Sequence, residues 1–165
     1  MKLLLICMTI LTACQDPVQT VMQEISKNDM TVKWNIEQEI IHIEMEAPTD
    51  GWVAIGFNES ASLSGTYLLM GRVINGNAEI VEHYTDKPGS YKPIAEYGIA
   101  NQTDLLSGEE TENLTRIRFS IPISAASTYH KELLPKSTWN LLMAYSLEDD
   151  FQHHSIMRTS VNIEL

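Results

Sequence analysis

From residue 30 onwards, hydrophobic and polar positions alternate with the two-residue period of half-buried strands, and no long segment carries a helical period. Val32, Trp34 and Ile36 share one face, with Thr31, Lys33 and Asn35 on the other. Ile41, Ile43 and Met45 alternate with His42, Glu44 and Glu46; Ile117, Phe119, Ile121 and Ile123 alternate with Arg116, Arg118 and Ser120. Residues 51–57 are more continuously apolar, as expected of a strand covered on both faces. Residues 67–74 and 78–85 flank Asn75-Gly76-Asn77, a hairpin signal. Segments 139–146 and 156–165 complete the set. A first strand or a turn of helix is expected near 21–25, a short helix within 125–134, and loops at 87–98 and 107–113. Many short strands separated by turn chemistry predict an all-β fold, an immunoglobulin-like antiparallel β-sandwich of two packed sheets.

The 165 residues suffice for one domain with a real core. Their 11 basic and 22 acidic side chains, a net charge of −11, exclude a nucleic-acid binder, which needs a basic face for phosphates. No Gly-x-Ser-x-Gly, phosphate-binding glycine loop or His-Glu-x-x-His is present, so no enzymatic activity is expected. The carboxylate pairs Glu109-Glu110 and Asp149-Asp150 fall in polar stretches and read as solvated loops. His42, His83 and His130 are scattered and read as structural or exposed. His153 and His154 would point to opposite sides of an extended chain, which argues against joint metal chelation. No metal site is expected.

Both cysteines, Cys7 and Cys14, lie close to the N-terminus. Lys2 precedes an apolar stretch at 3–11, too short for a permanent membrane span of roughly 20 residues. It ends in Leu11-Thr12-Ala13-Cys14, which resembles a bacterial lipobox. The resemblance implies cleavage before Cys14 and attachment of diacylglycerol and acyl chains such as palmitate to that residue. It divides the chain into a signal peptide (1–13), a lipidated cysteine with its tether (14–29) and a domain (30–165). The lipid bilayer becomes a partner through acylated Cys14, with the bacterial cell envelope as the location. Gln15, where aspartate would retain the protein, implies the outer membrane. Loss of Lys2 would take the charge to −11 − 1 = −12 on a thiol-free domain.

Further along, Thr31-Val32-Lys33-Trp34 leads to Ala47-Pro48-Thr49-Asp50-Gly51-Trp52-Val53-Ala54-Ile55-Gly56-Phe57. Leu63-Ser64-Gly65-Thr66-Tyr67 through Gly71, His83-Tyr84, Arg116-Ile117-Arg118-Phe119-Ser120, Trp139 through Tyr145, and His154 with Arg158 follow in order. This succession resembles a DOMON domain, the module named after the N-terminal region of dopamine beta-monooxygenase, over residues 30–165. The resemblance implies a sandwich that binds haem or sugar. In a related module, the cytochrome domain of cellobiose dehydrogenase, b-type haem sits between a methionine and a histidine. Related modules pass electrons to a membrane cytochrome or flavin partner.

By this resemblance His154 is the axial histidine, while Leu63 occupies the methionine position and carries no lone pair for iron. Met70 is the other candidate ligand, but seven extended residues displace it by roughly 23 Å. Trp52, Phe57, Met70 and Trp139 are expected as apolar lining or nearby core. The leading expectation is therefore a membrane-anchored, non-catalytic module binding haem b for electron transfer. A sugar- or small-molecule-binding lipoprotein is the alternative, with Tyr67, Tyr84, Tyr91 and Tyr97 at the rim of an end pocket. A structural or partner-binding lipoprotein is the third.

Overall fold

A computed structural model describes residues 21–165. Cys14 and the lipobox lie outside the described residues. Eleven strands are present: β1 (Gln23–Lys27), β2 (Met30–Glu37), β3 (Ile40–Ala47), β4 (Val53–Asn58), β5 (Tyr67–Ile74), β6 (Asn77–Lys87), β7 (Ser90–Pro93), β8 (Asp104–Thr111), β9 (Leu114–Pro122), β10 (Thr138–Tyr145) and β11 (Met157–Glu164). They form two antiparallel sheets, one ordered β1-β2-β3-β9-β8 and the other β11-β10-β4-β5-β6-β7. The expected β-sandwich is the observed fold.

Alternation sets the register. Val32, Trp34, Ile41, Ile43, Met45, Ile117, Phe119 and Ile121 of the five-stranded sheet face Val53, Ile55, Phe57, Leu69, Leu141 and Met143 of the six-stranded sheet in one core. Full burial of each such large side chain contributes about 1.5–3 kcal/mol. Phe57 and Trp139, both in this core, meet edge to face with ring centroids 6.4 Å apart. The sheets approach so closely at Gly71 that a Cβ there would lie 2.8 Å from Cγ1 of Ile117. The hairpin between β5 and β6 turns on Asn75 and Gly76, both at positive φ, as its sequence predicted.

The two outer faces differ in chemistry. On the five-stranded sheet, Glu44 pairs with Lys33 at 3.1 Å and with Arg118, while Arg116 pairs with Glu46 at 2.7 Å. These pairs sit directly across the strands and keep that face wet. On the six-stranded sheet, Trp52, Ala54, Met70 and Phe151 form a second apolar cluster, joined by Leu68, Val81, Tyr91 and Ala144. All of β4 is buried, as the continuous apolar run at 51–57 implied.

Three local expectations are corrected. Residues 125–134 form no helix; turns suffice because Ser127 and His130 bond to each other and to neighbouring backbone. The stretch 87–98 contains β7 and a 3-10 turn at Ile94–Tyr97, with Ile94 buried. Most of 107–113 belongs to β8, an edge strand whose side chains are almost all exposed. Its apolar–polar alternation is weak because the strand borders solvent, and its close approach to β6 falls at Gly108, where a Cβ would collide with the Ala78 Cβ.

Candidate functional site

The apolar outer face of the six-stranded sheet becomes a pocket because three connections fold over it. Its floor is Trp52 just before β4, Ala54 on β4, Leu68 and Met70 on β5, and Leu142 and Ala144 on β10. Leu63 stands on the β4–β5 connection, Gly89 and Tyr91 lie at the β6–β7 turn, and Gln152, His153, His154 and Ser155 come from the β10–β11 connection. Arg158 and Thr159 on β11 complete a cavity of about 220 Å³.

Local chemistry fixes each wall. Asn58 Nδ2 donates to the carbonyls of Ser62 and Ser64, at 2.6 and 2.9 Å, and to Thr66 Oγ1 at 3.0 Å, holding the Leu63 loop closed. A turn at Leu63–Thr66, with Gly65 at φ +80°, carries the chain back to the sheet. The β10–β11 connection is pinned by Phe151, which packs on Trp52, Ala54 and Met70. The Arg72 guanidinium lies 4.3 Å from the Phe151 ring centroid and donates to the Asp149 carbonyl at 2.6 Å. Tyr91 Oη donates to the Phe151 carbonyl. Burial and the Asp150 carboxylate hold the Tyr91 phenol above its ordinary pKa, so it remains a donor. Gly51 sits against the start of the same connection, where a Cβ would meet the Glu148 nitrogen at 2.5 Å.

Leu63, Met70 and His154 all line this one cavity. The 23 Å displacement expected for Met70 assumed an extended chain, whereas the turn before β5 folds Leu63 back over the strand. His153 and His154 also share the cavity, contrary to their expected divergence, because the chain turns there, with His153 N bonded to the Asp150 carbonyl at 2.8 Å. Met70 is buried and both histidines are exposed. Among the described residues no group of three or more His, Cys, Asp or Glu could hold a metal ion. The pocket lies on the sheet face, not at the end of the sandwich. Of the rim tyrosines expected for a sugar site, only Tyr91 lines it. Tyr67 is buried between the sheets, and Tyr84 and Tyr97 group with Tyr129 elsewhere, with Tyr97 and Tyr129 stacked at 4.6 Å.

A second polar site was not foreseen. Glu82, fully buried, accepts hydrogen bonds from Tyr67 Oη at 2.7 Å, His130 Nε2 at 3.0 Å, the Thr103 amide at 2.6 Å and the Gln102 amide. Burial and the Glu82 carboxylate drive the Tyr67 phenol far above its ordinary pKa. The sequence signal was Glu82 itself, a carboxylate at an inward position of β6.

The geometry defines a two-sheet antiparallel sandwich with a ligand-sized pocket on the outer face of its larger sheet. The DOMON domain model matches residues 26–146, and the chain belongs to the DOMON domain family. MOXD1 homolog 2 of Drosophila melanogaster is 25% identical over 122 residues, covering 74% of this chain and 16% of that protein. DBH-like monooxygenase protein 2 of Mus musculus is 27% identical over 121 residues, 72% of this chain and 19% of that one. The chain thus spans less than a quarter of either relative. The cytochrome b domain of pyranose dehydrogenase from Coprinopsis cinerea superposes with a TM-score of 0.64 at 11% identity, covering 87% of this chain and 81% of that domain. The cytochrome domain of Myriococcum thermophilum cellobiose dehydrogenase gives 0.60 at 6% identity, with the same coverages. These two likenesses establish a shared fold.

Proposed function

We propose that this DOMON domain is a non-catalytic module that binds haem b in the pocket on its six-stranded sheet and serves electron transfer to a redox partner such as a membrane cytochrome. The observation that carries the reading is the meeting of the His154 imidazole, an apolar floor and the Met70 thioether in one cavity. The donor set fits haem held through His154. Leu63, at the family methionine position, supplies apolar contact and no bond to iron. Bound there, haem would supply a one-electron couple tuned by its axial ligation and burial. The fold shared with two cytochrome domains supports the same reading.

The test is titration of the purified full-length chain with haemin, followed at the Soret band. A saturable red shift is expected, weakened on the order of tenfold or more in His154→Ala and retained in His153→Ala. No shift, or one indifferent to His154→Ala, would sink the assignment.

The reading includes a membrane tether at Cys14, supported by the lipobox resemblance. Expressed in a bacterial host, the wild type is expected to incorporate labelled palmitate and to fractionate with outer membranes. Cys14→Ser should do neither; equal labelling of the two would remove the anchor from the model.

A further inference from the structure

The chain carries twice as many acidic as basic side chains, yet among the described residues no carboxylate lines the pocket. Its lining charge is a single guanidinium, Arg158, beside the imidazoles of His153 and His154. The other three arginines are all ion-paired: Arg72 with Glu79, Arg116 with Glu46 and Glu109, and Arg118 with Glu44. Among the described residues Arg158 has no such partner within 4.0 Å, in a protein where carboxylates are in excess. Its place on β11, across from Ala144 of the pocket floor, puts a cation at the edge of an apolar surface. A second donor is unspent: among the described residues no acceptor meets the buried Nε1–H of Trp52, a residue of the same lining. A buried donor without an acceptor is destabilising, a cost that an acceptor-bearing ligand can recover.

We infer that the pocket selects apolar ligands that carry an anionic group, and that Arg158 is the residue that pairs with that group. The inference deepens the haem reading, in which the propionates are the anionic groups, but the pairing applies to any apolar body bearing a carboxylate or sulfonate. Asp150, whose carboxylate acts on Tyr91 from the β10–β11 connection, does not line the pocket. Because Arg158 is exposed, the pair is screened and salt-sensitive.

Two matched probe pairs test this on the full-length chain. Haemin is compared with its dimethyl ester, in which both propionates are blocked. The anionic dye 8-anilinonaphthalene-1-sulfonate is compared with the neutral N-phenyl-1-naphthylamine. In the wild type the anionic member of each pair is expected to bind roughly three- to tenfold more tightly, with the advantage shrinking at high salt. Arg158→Gln should abolish the advantage by weakening the anionic member of each pair far more than the neutral one, and Arg158→Lys should restore part of it. If haemin and its ester bind equally and Arg158→Gln alters neither, the Arg158 role is overturned while the haem site stands. If neither porphyrin binds but the dye preference is present and lost in Arg158→Gln, the haem reading fails and this inference holds. Absence of any anionic preference in either pair overturns it.

Discussion

Glu82→Ala is expected to bring the domain to the edge of unfolding at room temperature. The wild-type carboxylate is fully buried and satisfies four donors drawn from separate parts of the chain. Tyr67 belongs to the six-stranded sheet, the Gln102 and Thr103 amides lead into β8 of the five-stranded sheet, and His130 sits on the connection between β9 and β10. One side chain therefore ties both sheets to the long connection that passes between them. Removing it strands all four donors, each costing about 1–3 kcal/mol if left unpaired, and the total reaches or exceeds the 3–5 kcal/mol typical of a broken buried ionic contact. Domains of this size have about 5–15 kcal/mol in all. Tyr67→Phe, which removes only one donor and leaves the carboxylate three others, should cost about 1–2 kcal/mol. Urea unfolding curves order the two variants; a Glu82→Ala loss no larger than that of Tyr67→Phe would show that the network does not bind the sheets together.

What the sequence discloses about this network is instructive. Along β6, Ile80 and Glu82 fall on one face and Val81 and His83 on the other, so a carboxylate at an inward position already signals a buried polar group. Its partners are not periodic neighbours: they lie 15, 20, 21 and 48 positions away in the chain. Two of them are backbone amides, which carry no side-chain signature. The strands themselves were legible because alternation is local, and β4 was legible as a doubly covered strand because both its faces are apolar.

The pocket was harder to read for a related reason. Its floor residues Trp52, Ala54 and Met70 are outward-facing apolar positions, which show that something covers the sheet but not what. The cover consists of connections held by Asn58, Arg72 and Tyr91 through bonds to backbone carbonyls. Extended-chain reasoning failed there twice, for Leu63 with Met70 and for His153 with His154, because both segments turn. Composition misled over tyrosines as well: four were candidates for a rim, and only where their backbone alternates could Tyr67 be assigned inward. A site on a sheet face is therefore half written in period and half in loop geometry.

The cover over the pocket should also loosen in acid, through His83. This imidazole is 1% exposed, packed edge-on between Tyr91 and Phe151 at ring-centroid distances of 5.7 Å, and bonded through Nδ1 to the Val81 carbonyl at 3.1 Å. Burial pulls its pKa from the ordinary 6.5 down to about 4, with the Val81 carbonyl opposing the shift. The unfolded chain thus takes up a proton near pH 6.5 that the folded chain accepts only near pH 4. Above pH 6.5 the neutral ring stabilises the fold in full. Stability then falls by about 1.4 kcal/mol for each pH unit between 6.5 and 4, a total of about 3 kcal/mol. Other groups titrate in this window with different signs. Desolvation raises Glu110 and Asp149, which favours the fold as they protonate, whereas the paired Glu44 is held low and loses its contribution in acid. The comparison that isolates His83 is wild type against His83→Phe, an apolar ring in the same aromatic surroundings. Unfolding free energies measured from pH 7.5 to 4 should diverge by about 3 kcal/mol, with the wild type losing more. Parallel profiles would mean that the ring is already solvated and that Phe151 does not hold the His154 connection against it.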